Sequence, residues 1–299
     1  GGSIRIPASN CGLFGLKPSR GRVPLGHDKA EGLAGFSVAH AVTHSVRDSA
    51  MLLDITHGPI SGAIYGAPDT QGSFLESLEG DLPQLKVALC TTGFAGEGID
   101  PRCKQAAIDA GVLCESVGCT VKEVTPPVDG VALREAFDVL FSAHIASVVL
   151  GVLSQYPDRN PDMLFEPLTL ACANAGKRCT AVEYVEAVGR IQRAAQDLGR
   201  FFLECDVLPT PPLAKPPLKL NEISMTCDNW SVYLARMLDE IPFTPLFNAT
   251  GAPAASVPLS KTEDGLPIGI QIGAAFGREK TLLRLARELE VVSPWHSRI

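Results

Sequence analysis

The sequence predicts an α/β protein built in layers, and two features carry that expectation. Short apolar or alternating runs suited to strands take turns with longer runs whose apolar residues recur every three or four positions, over most of the chain. The composition suits a packed core: 45% of the 299 residues are hydrophobic and 20% charged, unlike disordered or fibrous chains. A chain of this length can bury one large core or two smaller ones. With no internal repeat and no low-complexity tract, residues 1–299 read as one domain.

Residues 1–35 are rich in Gly, Pro and small side chains, which predicts turns and short strands and no regular helix. Ser45 with Asp48 resembles a capping box, with Asp in place of the usual Glu, ahead of an amphipathic helix carrying Ala50, Met51, Leu53 and Ile55. Residues 58–84 read as loop. A strand at 85–89 follows, then a helix at 100–113 with Pro101 at its favoured first position, then a strand at 119–124 stopped by Pro126-Pro127. Helices are expected at 129–155, 165–176 and 180–205, the last opened by Thr180 with Glu183. Val207 and Leu208 begin a short strand that runs into a rigid Pro-rich loop. A helix at 229–240 comes next, then strands at 253–259 and 268–272 around a turn at Asp264-Gly265. The closing helix, 277–289, gathers Leu282, Leu283, Leu285, Ala286 and Leu289 on one face.

Charge and residue types exclude several functions. The net charge is −7 and Lys and Arg form no dense cluster, so no direct nucleic-acid partner is expected. The most apolar stretch, 136–153, is interrupted by Asp138, Ser142, His144 and Ser147 and reads as a buried helix, with no membrane partner implied. The nine cysteines form no C-x-x-C and have no neighbouring His pairs, so they read as free, mostly buried thiols of a soluble cytoplasmic protein, with no metal site. Gly176-Lys177-Arg178 fails the phosphate-loop pattern and no G-x-G-x-x-G follows a strand, so no cofactor is expected. No G-x-S-x-G elbow is present, and histidines 27, 40, 44, 57, 144 and 296 read as surface or satisfied core residues. Asn229 and Asn248 open chance glycosylation sequons. The chain starts Gly-Gly-Ser, without Met or a signal-like apolar run, so it is expected to be a fragment or processed product.

The chemistry-bearing segment is that opening. Acyl transfer to an alcohol needs an exposed serine and backbone N–H groups converging on the developing oxyanion. Gly1-Gly2 before Ser3 allows a tight turn with no Cβ between the backbone and an incoming carbonyl. On spacing alone the same tripeptide also reads as a flexible linker. The residues that follow decide otherwise. Gly1 to Val23, with Ile4-Arg5-Ile6-Pro7-Ala8-Ser9 and Gly15-Leu16-Lys17-Pro18-Ser19-Arg20-Gly21, closely resembles the signature region of the amidase signature family. Ser45-Val46-Arg47-Asp48, Phe247-Asn248-Ala249-Thr250-Gly251-Ala252-Pro253-Ala254 and Gly265-Leu266-Pro267-Ile268-Gly269-Ile270-Gln271 resemble later blocks of the family, and Gly277-Arg278-Glu279 fits too. His40 to His44 stands where members commonly carry Gly-Pro, pointing to a subgroup like the hydrolases of 6-aminohexanoate cyclic dimers.

The resemblance implies a mixed central sheet flanked by helices on both sides, truncated here at its N-terminus. It implies hydrolysis of a small amide to acid plus ammonia or amine through an acyl-enzyme on Ser3, with an oxyanion hole from the backbone of Gly1, Gly2 and Ser3. Activation would come from a buried lysine, kept neutral by desolvation, acting through a second serine with a cis peptide bond. Both lie upstream of the nucleophile in the family, so the isolated chain is expected to be inactive. Lys17 and Ser9 are tempting substitutes but belong to the signature block itself, and Lys17 and Arg5 read as structural, the guanidinium tying buried carbonyls together. The helices between 129 and 205 are expected to shape the acyl pocket. The competing reading is a non-catalytic remnant, or a subunit that passes ammonia to a partner in a complex amidating charged tRNA. Oligomeric state stays open, with a homodimer as the assembly to test.

Overall fold

A computed structural model describes residues 2–26, 30–63 and 65–295. Its centre is a mixed seven-stranded sheet, β1 Phe14–Lys17, β2 Val42–Thr43, β3 Lys86–Leu89, β4 Thr120–Glu123, β5 Val207–Thr210, β6 Ala254–Lys261 and β7 Pro267–Ala274, in the order β2-β1-β6-β7-β5-β3-β4. The middle is antiparallel: β6 and β7 form a hairpin through the predicted turn, and β1 and β5 flank it antiparallel to β6 and β7. At one edge, β3, helix α3 Pro101–Ser116 and β4 form the expected strand–helix–strand unit, with Lys86 opposite Thr120 and Leu89 opposite Glu123 in parallel register. Pro258 lies within the irregularity between Val257 and Ser260, where a residue without an N–H breaks no ladder bond.

Strand alternation sends β7 to two different neighbours. Gly269, Gln271 and Gly273 face the short helices α1 Arg5–Asn10 and α8 Thr244–Thr250: Gly269 abuts Ser9, Gln271 meets Arg5, and Gly273 lies against the Phe247 ring. Ile268, Ile270, Ile272 and Ala274 belong to the opposite face. Helix α3 and the closing helix α9 Glu279–Val292 pack against β7, and α9 presents buried Leu282, Leu285 and Leu289. Helix α2 Val46–Thr56 packs on β1 and α9; of the expected capping box only one half forms, Ser45 Oγ accepting from the Asp48 N–H at 3.0 Å, while the Asp48 carboxylate makes no return bond to the Ser45 N–H.

A further helical layer covers α8: α4 Gly130–Gln155, α5 Pro167–Gly176, α6 Ala181–Phe201 and α7 Trp230–Glu240. The Thr180–Glu183 capping box at the head of α6 is closed in both directions, at 3.2 and 2.8 Å. Helix α4 is long and apolar enough to cross a membrane by length and composition alone. In the fold it packs against α5, α6 and α8, burying Leu133, Phe137, Leu140 and Val149. The expectation of a buried helix holds for that face only, since Val131, Val148 and Leu150 are exposed.

Three readings of the sequence need correction. Residues 5–10 form a helix, where none was expected. Pro7 is the third residue of α1, in the first turn, where its missing N–H has no intrahelical acceptor to lose. Helix α8 was also not anticipated, although Pro245 near its start and left-handed Gly251 at its end are the residues that open and close helices. Helix α6 stops at Phe201, four residues before the expected end.

Candidate active site

The sheet, α1, α4 and the loop between β1 and β2 enclose a cavity of about 190 Å³. Ser3 lies at its edge, exposed to solvent, and its hydroxyl has no hydrogen-bond partner among the described residues. Gly2, Ile4 and Arg5 line the same cavity; Gly1 lies outside the described residues. Glycine is required at position 2. Its φ of +150° is one that side chains rarely adopt, and an added Cβ would fall 2.5 Å from Ile6 Cδ1 and 2.7 Å from Thr244 Oγ1. Ile4 precedes α1 without a side-chain cap bond; the Ile6 N–H is instead taken by the Gly2 carbonyl at 2.8 Å, which closes the turn around Ser3.

Behind Ser3, Arg5 is fully buried and anchors three elements. Its guanidinium donates to the Thr244 carbonyl at 3.0 Å and, through short contacts, to Gln271 Oε1 and Asn248 Oδ1. Burial pushes the Arg5 pKa down to about 9, which leaves the group charged at neutral pH. The structural role expected for Arg5 is thus observed, with two side-chain amides added to the backbone carbonyl. Asn248, from α8, also donates from Nδ2 to the Phe36 carbonyl at 2.7 Å. Its sequon is therefore buried and committed.

The loop carrying Phe36 is held in a costly conformation. Leu33 and Ala34 both have φ of 50°, the left-handed region that side chains avoid, and Gly35 follows at 82°. Arg20 holds it, donating to the carbonyls of Gly35 at 2.7 Å, Asn248 at 3.0 Å and Ala249 at 2.7 Å. Strain of this kind persists where the surroundings over-determine the backbone. Here the restraint seats Leu33, Phe36 and Val38 in the cavity lining, where Phe36 meets Phe137 of α4 and Leu140 and Phe141 of the same helix also line the space.

Of the two residues weighed from the sequence as substitutes for the family's base and relay, Lys17 lies in the cavity wall and Ser9 does not line the cavity. Lys17 Nζ donates to the Pro18 carbonyl at 2.7 Å. Burial, then the nearby Arg5 and Arg20, lower its pKa well below the usual lysine value against a smaller opposing effect of Glu279. Ser9 Oγ instead accepts from the Gly269 N–H at 2.9 Å, tying α1 to β7. Three of the described histidines are engaged elsewhere, His40 with Ser49 at 3.0 Å, His144 with the Leu140 carbonyl at 2.7 Å and His57 edge-on against Phe74, and His44 does not line the cavity. His27 and His296 lie outside the described residues. The cysteines are free, and burial pushes Cys103, Cys114, Cys172 and Cys205 up to about 12, which makes them poor nucleophiles. Among the described residues no three His, Cys, Asp or Glu side chains converge as a metal site would need.

Three site residues carried no expected role in the sequence: Arg20, Thr244 and Asn248. Arg20 and Asn248 belong to blocks that resemble the family, which was the available signal. Thr244 had none beyond its place before Pro245.

The sequence and fold are similar to those of known proteins. A family model described as Amidase matches residues 1–283. The 6-aminohexanoate-cyclic-dimer hydrolase of Paenarthrobacter ureafaciens is 30% identical over 325 residues, covering 99% of this chain and 62% of that protein. A putative amidase AmiC of Mycobacterium leprae (strain TN) is 31% identical over 304 residues, covering 99% of this chain and 61% of that protein. The solved structure of a 6-aminohexanoate cyclic dimer hydrolase superposes with a TM-score of 0.91 at 28% identity, over 99% of this chain and 63% of that one. The chain thus spans about 62% of the length of the curated relatives it matches. With the signature residues gathered around one cavity and the family model covering nearly all of the sequence, the chain belongs to the amidase signature family.

Proposed function

We propose that this chain carries the nucleophile of an amide hydrolase. Ser3 attacks the carbonyl carbon, its proton leaves to a base, and the negative oxygen is held by the backbone N–H groups of Gly1, Gly2 and Ser3. Collapse of the tetrahedral adduct expels ammonia or an amine, which takes up a proton. Water then adds to the acyl-enzyme and releases the acid. The observation that carries this reading is an exposed, unpaired serine hydroxyl at the edge of a cavity, beside a glycine whose φ and close contacts disfavour any Cβ and in a turn closed by the Ile6 N–H on the Gly2 carbonyl.

The base in this reading is a lysine acting through a relay serine, both outside these 299 residues. Lys17 is held by the Pro18 carbonyl and serves the cavity wall. The test is release of aniline from a simple anilide by the complete protein. Ser3→Ala should lower kcat by at least ~10⁴-fold, as loss of the nucleophile does elsewhere, while Lys17→Met keeps turnover within about tenfold. Full activity in Ser3→Ala would overturn the nucleophile assignment. Collapse of activity in a folded Lys17→Met would move the base into this chain.

A further inference from the structure

We propose that the cavity beside Ser3 is an acyl pocket for a neutral, apolar group, one phenyl ring or a short alkyl chain, and that it rejects acyl groups ending in an ammonium. This rests on the reading of Ser3 as nucleophile, because the cavity is the space into which an acyl group attached there would extend. Size is the first observation. A cavity of ~150 Å³ lined by aliphatic and aromatic side chains suffices for benzene, and this one measures about 190 Å³. Much of its lining is apolar: Leu33, Phe36 and Val38 from the restrained loop, and Phe137, Leu140 and Phe141 from α4. The aromatic side is built as a stack. Phe36 meets Phe137 edge-on with centroids 5.7 Å apart, Phe137 stacks on Phe141 at 5.3 Å, and Phe141 stacks on Trp230 at 5.8 Å.

Charge is the second observation. No Asp or Glu lines the cavity among the described residues, while Arg5 and Lys17 both do. Asp138, next to Phe137 in sequence, is occupied by the Trp230 indole N–H at 2.6 Å. The wall already disfavours an ammonium of its own: burial, with Arg5 and Arg20 adding to it, lowers the Lys17 pKa. A ligand ammonium entering the same space would lose its water and gain no carboxylate, the arrangement that makes buried charge unfavourable. Of the uncharged polar lining, Asn248 is already bonded to Arg5 and the Phe36 carbonyl, which leaves the hydroxyls of Ser3 and Ser37 and no carboxylate for a ligand cation.

Trp230 provides a readout independent of turnover, because its ring contacts a cavity side chain. In a Trp295→Phe background, which leaves Trp230 as the sole indole, emission is followed while hexanamide, phenylacetamide or 6-aminohexanamide is added. The two neutral amides should give saturable changes, and 6-aminohexanamide should bind at least roughly 30-fold more weakly. Val38→Phe, which fills the cavity, should abolish the response to hexanamide at unchanged melting temperature. Val38→Asp should narrow or invert the preference by supplying a partner for the ammonium. Equal or tighter binding of 6-aminohexanamide to the unsubstituted pocket would overturn the proposal, as would hexanamide binding that survives Val38→Phe. Selective binding with no turnover would leave the pocket assignment standing and remove only the nucleophile reading. Turnover without selectivity would do the reverse.

Discussion

At Gly2, steric and conformational requirements coincide one residue before the proposed nucleophile. The left-of-normal φ and the contacts with Ile6 and Thr244 leave no room for a methyl group. Gly2→Ala should therefore displace Ser3 and its N–H, and misplacement of about 1 Å is worth ~100-fold in rate. Anilide turnover should fall by that order while the melting temperature changes by only a few degrees; unchanged turnover would show that the turn is not positioning Ser3. Lys17 offers a second residue-level test. Its folded pKa lies below the unfolded value of 10.5, so the unfolded chain binds the extra proton and stability should rise with pH up to about 10.5. Lys17→Met removes that dependence. It should melt a few degrees higher than the unsubstituted protein at pH 7, with the gain shrinking toward pH 10.5. A constant difference across that range would mean that the amine is not destabilised by burial.

Among the described residues, the loop between β1 and β2 carries two of the three non-glycine positions with positive φ, Leu33 and Ala34. Ala34 sits at φ 50° and Gly35 at 82°, and an added Cβ on Gly35 would lie 2.6 Å from Arg20 Nε. Ala34→Gly should leave stability within about 0.5 kcal/mol, since strain relief and added unfolded-state freedom oppose each other. Gly35→Ala should cost about 2 kcal/mol or more, from left-handed strain and displacement of Arg20. Denaturant unfolding of the two variants checks the pair, and equal effects would contradict the restraint described here. The sequence revealed the long elements well, because α4, α6 and α9 are long enough for their periodicity or caps to speak. It concealed α1 and α8, at 6 and 7 residues, which present too few turns for periodicity to register. Their punctuation was nevertheless visible: Pro245 and Gly251 bracket α8, and Pro7 was compatible with a first turn. The strained loop was not legible, since Leu33 and Ala34 are residues that local propensity never places in left-handed backbone.

Across the whole molecule, the two ends of the sequence are joined next to the site. Glu279, at the start of α9, receives Arg22 Nε at 3.2 Å and Nη2 at 3.3 Å, and the Ser19 N–H at 2.9 Å. Burial raises the Glu279 pKa, but the Arg22 and Ser19 contacts outweigh it and hold the carboxyl below its usual 4.5. The folded value is depressed, so this contribution is complete above pH 4.5 and disappears as pH falls through the lower folded value. Glu279→Gln should cost ~3 kcal/mol at pH 7, where Arg22 is left buried and unpaired, and the difference should shrink in acid. A gap that stays constant down to pH 3 would contradict it. The same long-range joining explains what the sequence could not give of the site. Ser3 and the glycine turn were visible as a contiguous motif, whereas Asn248 and Arg20 act through contacts spanning more than 200 residues, which only the fold brings together.

The central claim is that one hydroxyl, that of Ser3, becomes acylated, and covalent trapping measures this most directly. The complete protein is treated with a fluorophosphonate and digested, and the modified peptide is identified by mass. The account predicts a single adduct on Ser3 that disappears in Ser3→Ala. An adduct on another side chain, or amide turnover persisting with Ser3 unmodified, would contradict it.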